Sequence, residues 1–133
     1  MKNIPKILIT PGEPSGIGYD ILLDIPKKRF PANIIAITNI DLLKQRANIL
    51  KKKVNIVKVN INDNNLPSKS NDDIYVHDLN EANKVKIGKP SIKHVPLILK
   101  SLDLAIASCI NNLADAFVTG PVQKSTIMEY GVK

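Results

Sequence analysis

Ile9-Thr10-Pro11-Gly12-Glu13-Pro14-Ser15-Gly16-Ile17-Gly18-Tyr19-Asp20 follows the apolar run Ile4 to Ile9 and precedes Ile21-Leu22-Leu23. This order predicts a buried strand, a loop and a helix. Glycine is needed where a backbone turns sharply or approaches a bound molecule, and the first N–H groups of the following helix are available donors. Strand, glycine loop and helix in succession form a ligand-binding edge.

Working outward, Lys6 to Thr10 is short and β-branched, as in a strand covered on both faces of a parallel sheet. Ile17 to Lys28 predicts a helix with Ile17, Ile21, Leu22 and Ile25 on its buried face, ended or tightened by Pro26. Asn33 to Thr38 is a second strand, Asp41 to Leu50 a second helix and Val54 to Val59 a third strand. Asn60 to Asp73 has no apolar period and predicts a surface loop. Ile74-Tyr75-Val76 resumes a strand, and Gly88-Lys89-Pro90-Ser91 announces a longer helix. Its apolar residues Ile92, Val95, Leu99, Leu102, Ile106, Cys109 and Leu113 recur at helical spacing. Pro96 allows two readings, a helix that starts near His94 or one that kinks there. Ala114 to Val118 is a further strand, Thr119-Gly120-Pro121-Val122 a second strand-to-helix turn, and Gln123 to Tyr130 the start of a helix. The alternation predicts an α/β fold with a mainly parallel sheet and flanking helices.

A chain of 133 residues holds one domain with a modest core, or part of a larger protein. No apolar run is long enough to cross a bilayer, and Met1-Lys2-Asn3-Ile4-Pro5 lacks the features of a signal peptide. The expectation is a cytoplasmic protein with no membrane partner. The single Cys109 excludes an internal disulfide and a multi-cysteine zinc site, and reads as a buried, inert thiol. The net charge of +7 comes from scattered lysines, with only Arg29 and Arg46 as arginines, and aromatic residues are 4% of the chain. Base stacking has few platforms, so no nucleic-acid partner is expected. Lys51-Lys52-Lys53 follows a helix and reads as a solvated run near its negative end. The competing reading is a small basic anion- or nucleic-acid-binding module, whose affinity would fall steeply with salt.

Two phosphate loops fail on the opening stretch. A P-loop needs Gly-Lys-Ser/Thr where this chain has Gly18-Tyr19-Asp20. The dinucleotide fingerprint needs a third glycine where Ile21 stands. Glu13 and Asp20 would also repel a phosphate placed on the loop. Thr10 to Asp20, with Val118-Thr119-Gly120-Pro121-Val122-Gln123-Lys124 after a long helix and a strand, closely resembles the 4-hydroxythreonine-4-phosphate dehydrogenase family of pyridoxal phosphate biosynthesis. Tyr19 stands where members usually have proline, which would loosen the helix entry, and Pro96 would bend the long helix.

The resemblance implies an isocitrate/isopropylmalate dehydrogenase-like fold, a three-layer α/β/α arrangement of which this chain is a part. It implies NAD(P)-dependent oxidation and decarboxylation of 4-phosphooxy-L-threonine, a phosphorylated amino acid, with a divalent metal (zinc, magnesium or cobalt) in a homodimer. Gly16, Ile17 and Gly18 become candidates for cofactor contact. Thr119, Gly120, Pro121 and Lys124 become candidates near the nicotinamide or substrate. The family's three metal-binding histidines and its Gly-His-Thr motif would lie beyond residue 133. The chain then reads as an N-terminal portion, inactive alone, with His77 and His94 as ordinary surface or packing residues. A truncated, non-catalytic paralogue is the third reading.

Overall fold

The computed structural model describes residues 4–81 and 84–131; Met1, Lys2 and Asn3, read above against a signal peptide, lie outside them. Five parallel strands, β1 (Lys6–Thr10), β2 (Asn33–Thr38), β3 (Asn55–Lys58), β4 (Asp73–Asp78) and β5 (Ala116–Thr119), form one sheet in the order β3-β4-β2-β1-β5. The helices are α1 (Gly18–Asp24), α2 (Ile40–Ile49), α3 (Val95–Ile110) and α4 (Lys124–Tyr130). The connections through α1 and α2 step toward one edge of the sheet, whereas the connection through α3 returns across β2 and β1 to β5. Right-handed crossovers then put α1 and α2 on one face and α3 on the other. The central strands are covered on both sides, as the α/β expectation required, while the edge strands β3 and β5 are largely exposed.

Burial explains the central strands. Leu8, Ile35, Ala36, Ile37 and Val76 are fully buried, and β2 carries a continuous apolar run because helices cover both of its faces. Its boundaries are those predicted, Asn33 to Thr38. The segment between β3 and β4 has no helix or strand. Its Ile61 is nonetheless buried, and its backbone N–H donates to His77 Nδ1 at 3.2 Å.

Several expectations are corrected. The first helix ends at Asp24 and passes into a 3-10 turn, Ile25–Lys27, at Pro26. Its buried side chains are Tyr19, Leu22 and Leu23, while Ile17 and Ile21 are exposed. In α3 the face against the sheet is Leu97, Ile98, Ser101, Ala105 and Ser108. Of the predicted stripe only Val95 is buried; Leu99, Leu102 and Cys109 are half-buried, and Ile92, Ile106 and Leu113 are exposed. The inward face was hidden by its small polar residues: Ser101 Oγ donates to Ile98 O at 2.8 Å and Ser108 Oγ to Leu104 O at 2.7 Å, so both hydroxyls are satisfied within the helix. Pro96 lies in the first turn, where its missing N–H has no intrahelical acceptor to lose, so the helix starts there. The last strand runs from Ala116 to Thr119, later than Ala114 to Val118.

Candidate functional site

In an open parallel sheet, a crevice forms at the C-terminal ends of the strands where the strand order reverses. Here β2 lies on one side of β1 and β5 on the other. The reversal therefore falls between β1 and β5, and the loops leaving these two strands are the two glycine turns of the sequence.

The two turns are joined backbone to backbone. Gly120 N donates to Thr10 O at 2.6 Å, and Glu13 N donates to Pro121 O at 3.1 Å. This close approach excludes side chains at three points. A Cβ on Gly12, which has φ +83°, would lie 2.3 Å from Pro121 O; one on Gly120 would lie 2.2 Å from Pro11 O; one on Gly18 would lie 1.9 Å from Pro11 O. Gly18 and Gly120 are thus explained by packing. Gly18 is buried, Gly120 and Gly16 are half-buried, and Ile17, Thr119, Pro121 and Lys124 face outward. The accessible part of this edge consists of Gly16 and Ile17 from one turn and Thr119, Pro121 and Lys124 from the other. Both sets of predicted site residues are brought to one edge.

Both carboxylates that argued against an anion are engaged by partners, Glu13 in the interior and Asp20 at a half-exposed position. Glu13 is buried, and its Oε1 accepts from Ser15 N at 3.2 Å and Ser15 Oγ at 2.9 Å. The same oxygen is bound by His94 Nδ1, and His94 Nε2 lies 3.3 Å from Lys84 O. His94 is accordingly a packing residue that ties the glycine loop to the start of α3. Glu13 Oε2 and Thr10 Oγ1 are buried without a hydrogen-bond partner. Asp20 is held by Arg46 at 2.5 Å.

Arg46 was not identified from the sequence as a site residue. It is 3% exposed, and it reaches from α2 into the first glycine loop. Its Nη1 donates to Gly16 O at 2.9 Å and its Nη2 to Pro14 O at 2.6 Å, while the guanidinium stands 5.6 Å from the centre of the Tyr19 ring. Tyr19 does not loosen the helix entry. It is buried, its hydroxyl is bonded to Thr38 Oγ1, and burial pushes its pKa up to about 12. The available signal was an arginine in a lysine-rich chain, since only the planar fork of arginine serves two carbonyls at once.

His77 accepts the Ile61 N–H through Nδ1, and burial lowers its pKa. Among the described residues no group of three or more His, Cys, Asp or Glu could hold a metal ion. No helix is long and apolar enough to cross a membrane, among the described residues.

Residues 31–133 match the family described as pyridoxal phosphate biosynthetic protein PdxA. The chain is 32% identical over 127 residues to a 4-hydroxythreonine-4-phosphate dehydrogenase of Pseudoalteromonas translucida, covering 96% of this chain and 38% of that protein. It is 31% identical over 135 residues to one of Wigglesworthia glossinidia brevipalpis, covering 100% and 40%. Among solved structures, a 4-hydroxythreonine-4-phosphate dehydrogenase from Burkholderia phymatum superposes with TM-score 0.85 at 18% identity, over 98% of this chain and 40% of that one. One from Klebsiella pneumoniae gives 0.81 at 18% identity, over 96% and 40%. These structures share the fold. The chain spans about two-fifths of the length of the relatives it matches.

Proposed function

Because this chain belongs to the family of pyridoxal phosphate biosynthetic protein PdxA, we propose that it forms one wall of the cofactor cleft of a 4-hydroxythreonine-4-phosphate dehydrogenase. The reaction is oxidation and decarboxylation of 4-phosphooxy-L-threonine, carried out by the full-length protein as a homodimer. The nicotinamide cofactor, NAD or NADP, accepts the hydride when bound. The observation that carries the reading is the meeting of both glycine turns at the reversal of strand order. The two carboxylates of the first turn are engaged by Ser15, His94 and Arg46. An anionic cofactor therefore meets no free carboxylate there.

Gly16 and Ile17 contact the cofactor from the first turn, with Gly18 setting the close packing behind them. Thr119, Gly120, Pro121 and Lys124 form the opposing side, where the Lys124 ammonium attracts a phosphate or a carboxylate. A divalent metal would polarise the oxygen that becomes a carbonyl. The described residues do not fit one, and its ligands are assigned, with the substrate-reading residues, to the remainder of the full-length protein.

Ile17 provides the test, since it is 58% exposed and can be changed without touching the core. Ile17→Asp in the full-length protein puts a carboxylate on the rim. We expect the KM for cofactor to rise about tenfold, the equivalent of about 1.4 kcal/mol, with the melting temperature unchanged. An unchanged KM would remove the loop from the cofactor site. Gly18→Val is a poor substitute, because its side chain collides with the Pro11 carbonyl and confounds binding with folding.

A further inference from the structure

At the opposite end of the sheet, residues shortly before three adjacent strands line an open cavity of about 640 Å³. Ile4 and Pro5 come before β1, Pro31 and Ala32 before β2, and Ser70 and Asn71 before β4. Pro26, Lys28, Arg29, Phe30, Asn33 and Lys69 complete its wall. The wall contains three cations and no carboxylate. Two nearby acids are engaged elsewhere: Asp73 accepts from Asn55 Nδ2 and Ser70 N, each at 2.9 Å, and Asp24 is bound by Lys52 at 2.7 Å and Lys27 at 3.5 Å; Asp72, next to Asn71, is exposed. Asp73 does reach Lys69 electrostatically, which leaves Lys28 and Arg29 as the stronger attraction.

Apart from Asn33, Ser70 and Asn71, the rest of the wall is apolar and rich in proline. Phe30 is 45% exposed between Arg29 and Pro31, and Ile4, Pro5 and Pro26 line the same cavity. An exposed ring beside two cations offers a flat apolar surface next to positive charge. The guanidinium of Arg29 can take two oxygens of one phosphate, which a lysine cannot. We propose that this cavity binds a small phosphate monoester carrying a flat ring, the ring on Phe30 and the phosphate held by Lys28, Arg29 and Lys69. The length of the strands puts it roughly 15–20 Å from the glycine turns. A ligand here is therefore separate from the cofactor cleft and does not compete with it.

The test is isothermal titration of the full-length protein with phenyl phosphate, with inorganic phosphate and phenol as partial probes. Phenyl phosphate should bind more tightly than phosphate, and phenol should not bind. The combined Lys28→Gln and Arg29→Gln variant, both at exposed positions, should raise the Kd about tenfold or more, as loss of a charge-assisted hydrogen bond implies. Phe30→Ala should weaken phenyl phosphate and leave phosphate unchanged. A Lys51→Gln and Lys53→Gln variant removes equal charge elsewhere and should change nothing. Equal weakening by that control, no binding of phenyl phosphate, or displacement by saturating NAD and NADP would each overturn the proposal. Equal affinity for phosphate and phenyl phosphate would overturn the part played by the ring.

Discussion

Replacing Arg46 by methionine removes the charge and the donors while keeping much of the volume. Three hydrogen bonds are lost, to Pro14 O, Gly16 O and Asp20. They do not weigh equally. The Asp20 side chain is 40% exposed and rehydrates when released, so that leg contributes about 0–1 kcal/mol. The Pro14 residue is buried and the Gly16 residue half-buried, and a buried carbonyl left without a donor costs about 1–3 kcal/mol. The sum is about 2–7 kcal/mol, toward the lower end because Gly16 is only half-buried, and a large part of the stability of a domain this size. Urea denaturation followed by circular dichroism should show a lower midpoint with an unchanged slope. Asp20→Asn, which keeps Arg46 on both carbonyls, should cost under about 1 kcal/mol. A loss below about 1 kcal/mol for Arg46→Met, or an equal loss for Asp20→Asn, would refute the view that the carbonyl contacts hold the loop.

Gly120→Ala places a methyl group 2.2 Å from Pro11 O; the turns must separate, and the protein should lose about 2–4 kcal/mol by the same measurement. Tyr19→Phe removes the hydroxyl bonded to the buried Thr38 and should cost about 1–2 kcal/mol in thermal unfolding. His77 has its pKa lowered by burial, so the folded protein favours the neutral ring. Its contribution is complete above the ordinary histidine value near 6.5 and is lost as pH falls through the lower folded value. Stability measured across that window should therefore fall with acid, and His77→Gln should flatten the slope.

The sheet was legible because its strands follow from local pattern. The run Asn33-Ile34-Ile35-Ala36-Ile37-Thr38 can only be buried on both sides, and glycine turns punctuate β1 and β5. Helix faces were less legible. In α3 the longest apolar stripe points partly outward, while Ser101, Ala105 and Ser108 face the sheet. Hydropathy counts serine as polar, whereas a serine bonded to its own helix carries no open donor and lets the helix approach closely. In α1 the same error put Ile17 and Ile21 inside and left out Tyr19, whose one polar atom has a partner in β2.

The glycine loop shows how far contacts distant in sequence change its chemistry. Read locally, Glu13 and Asp20 place two negative charges where an anion should sit. His94 comes from 81 residues away and Arg46 from 26 to 32, and together they engage both carboxylates and orient two loop carbonyls inward. With those carbonyls facing Arg46, the outward face of the turn is left to Gly16 and Ile17. The negative charges are better understood as internal anchors of the loop than as part of its binding surface. That changes their bearing on the loop: the charges that counted against a phosphate there are part of what fixes its backbone.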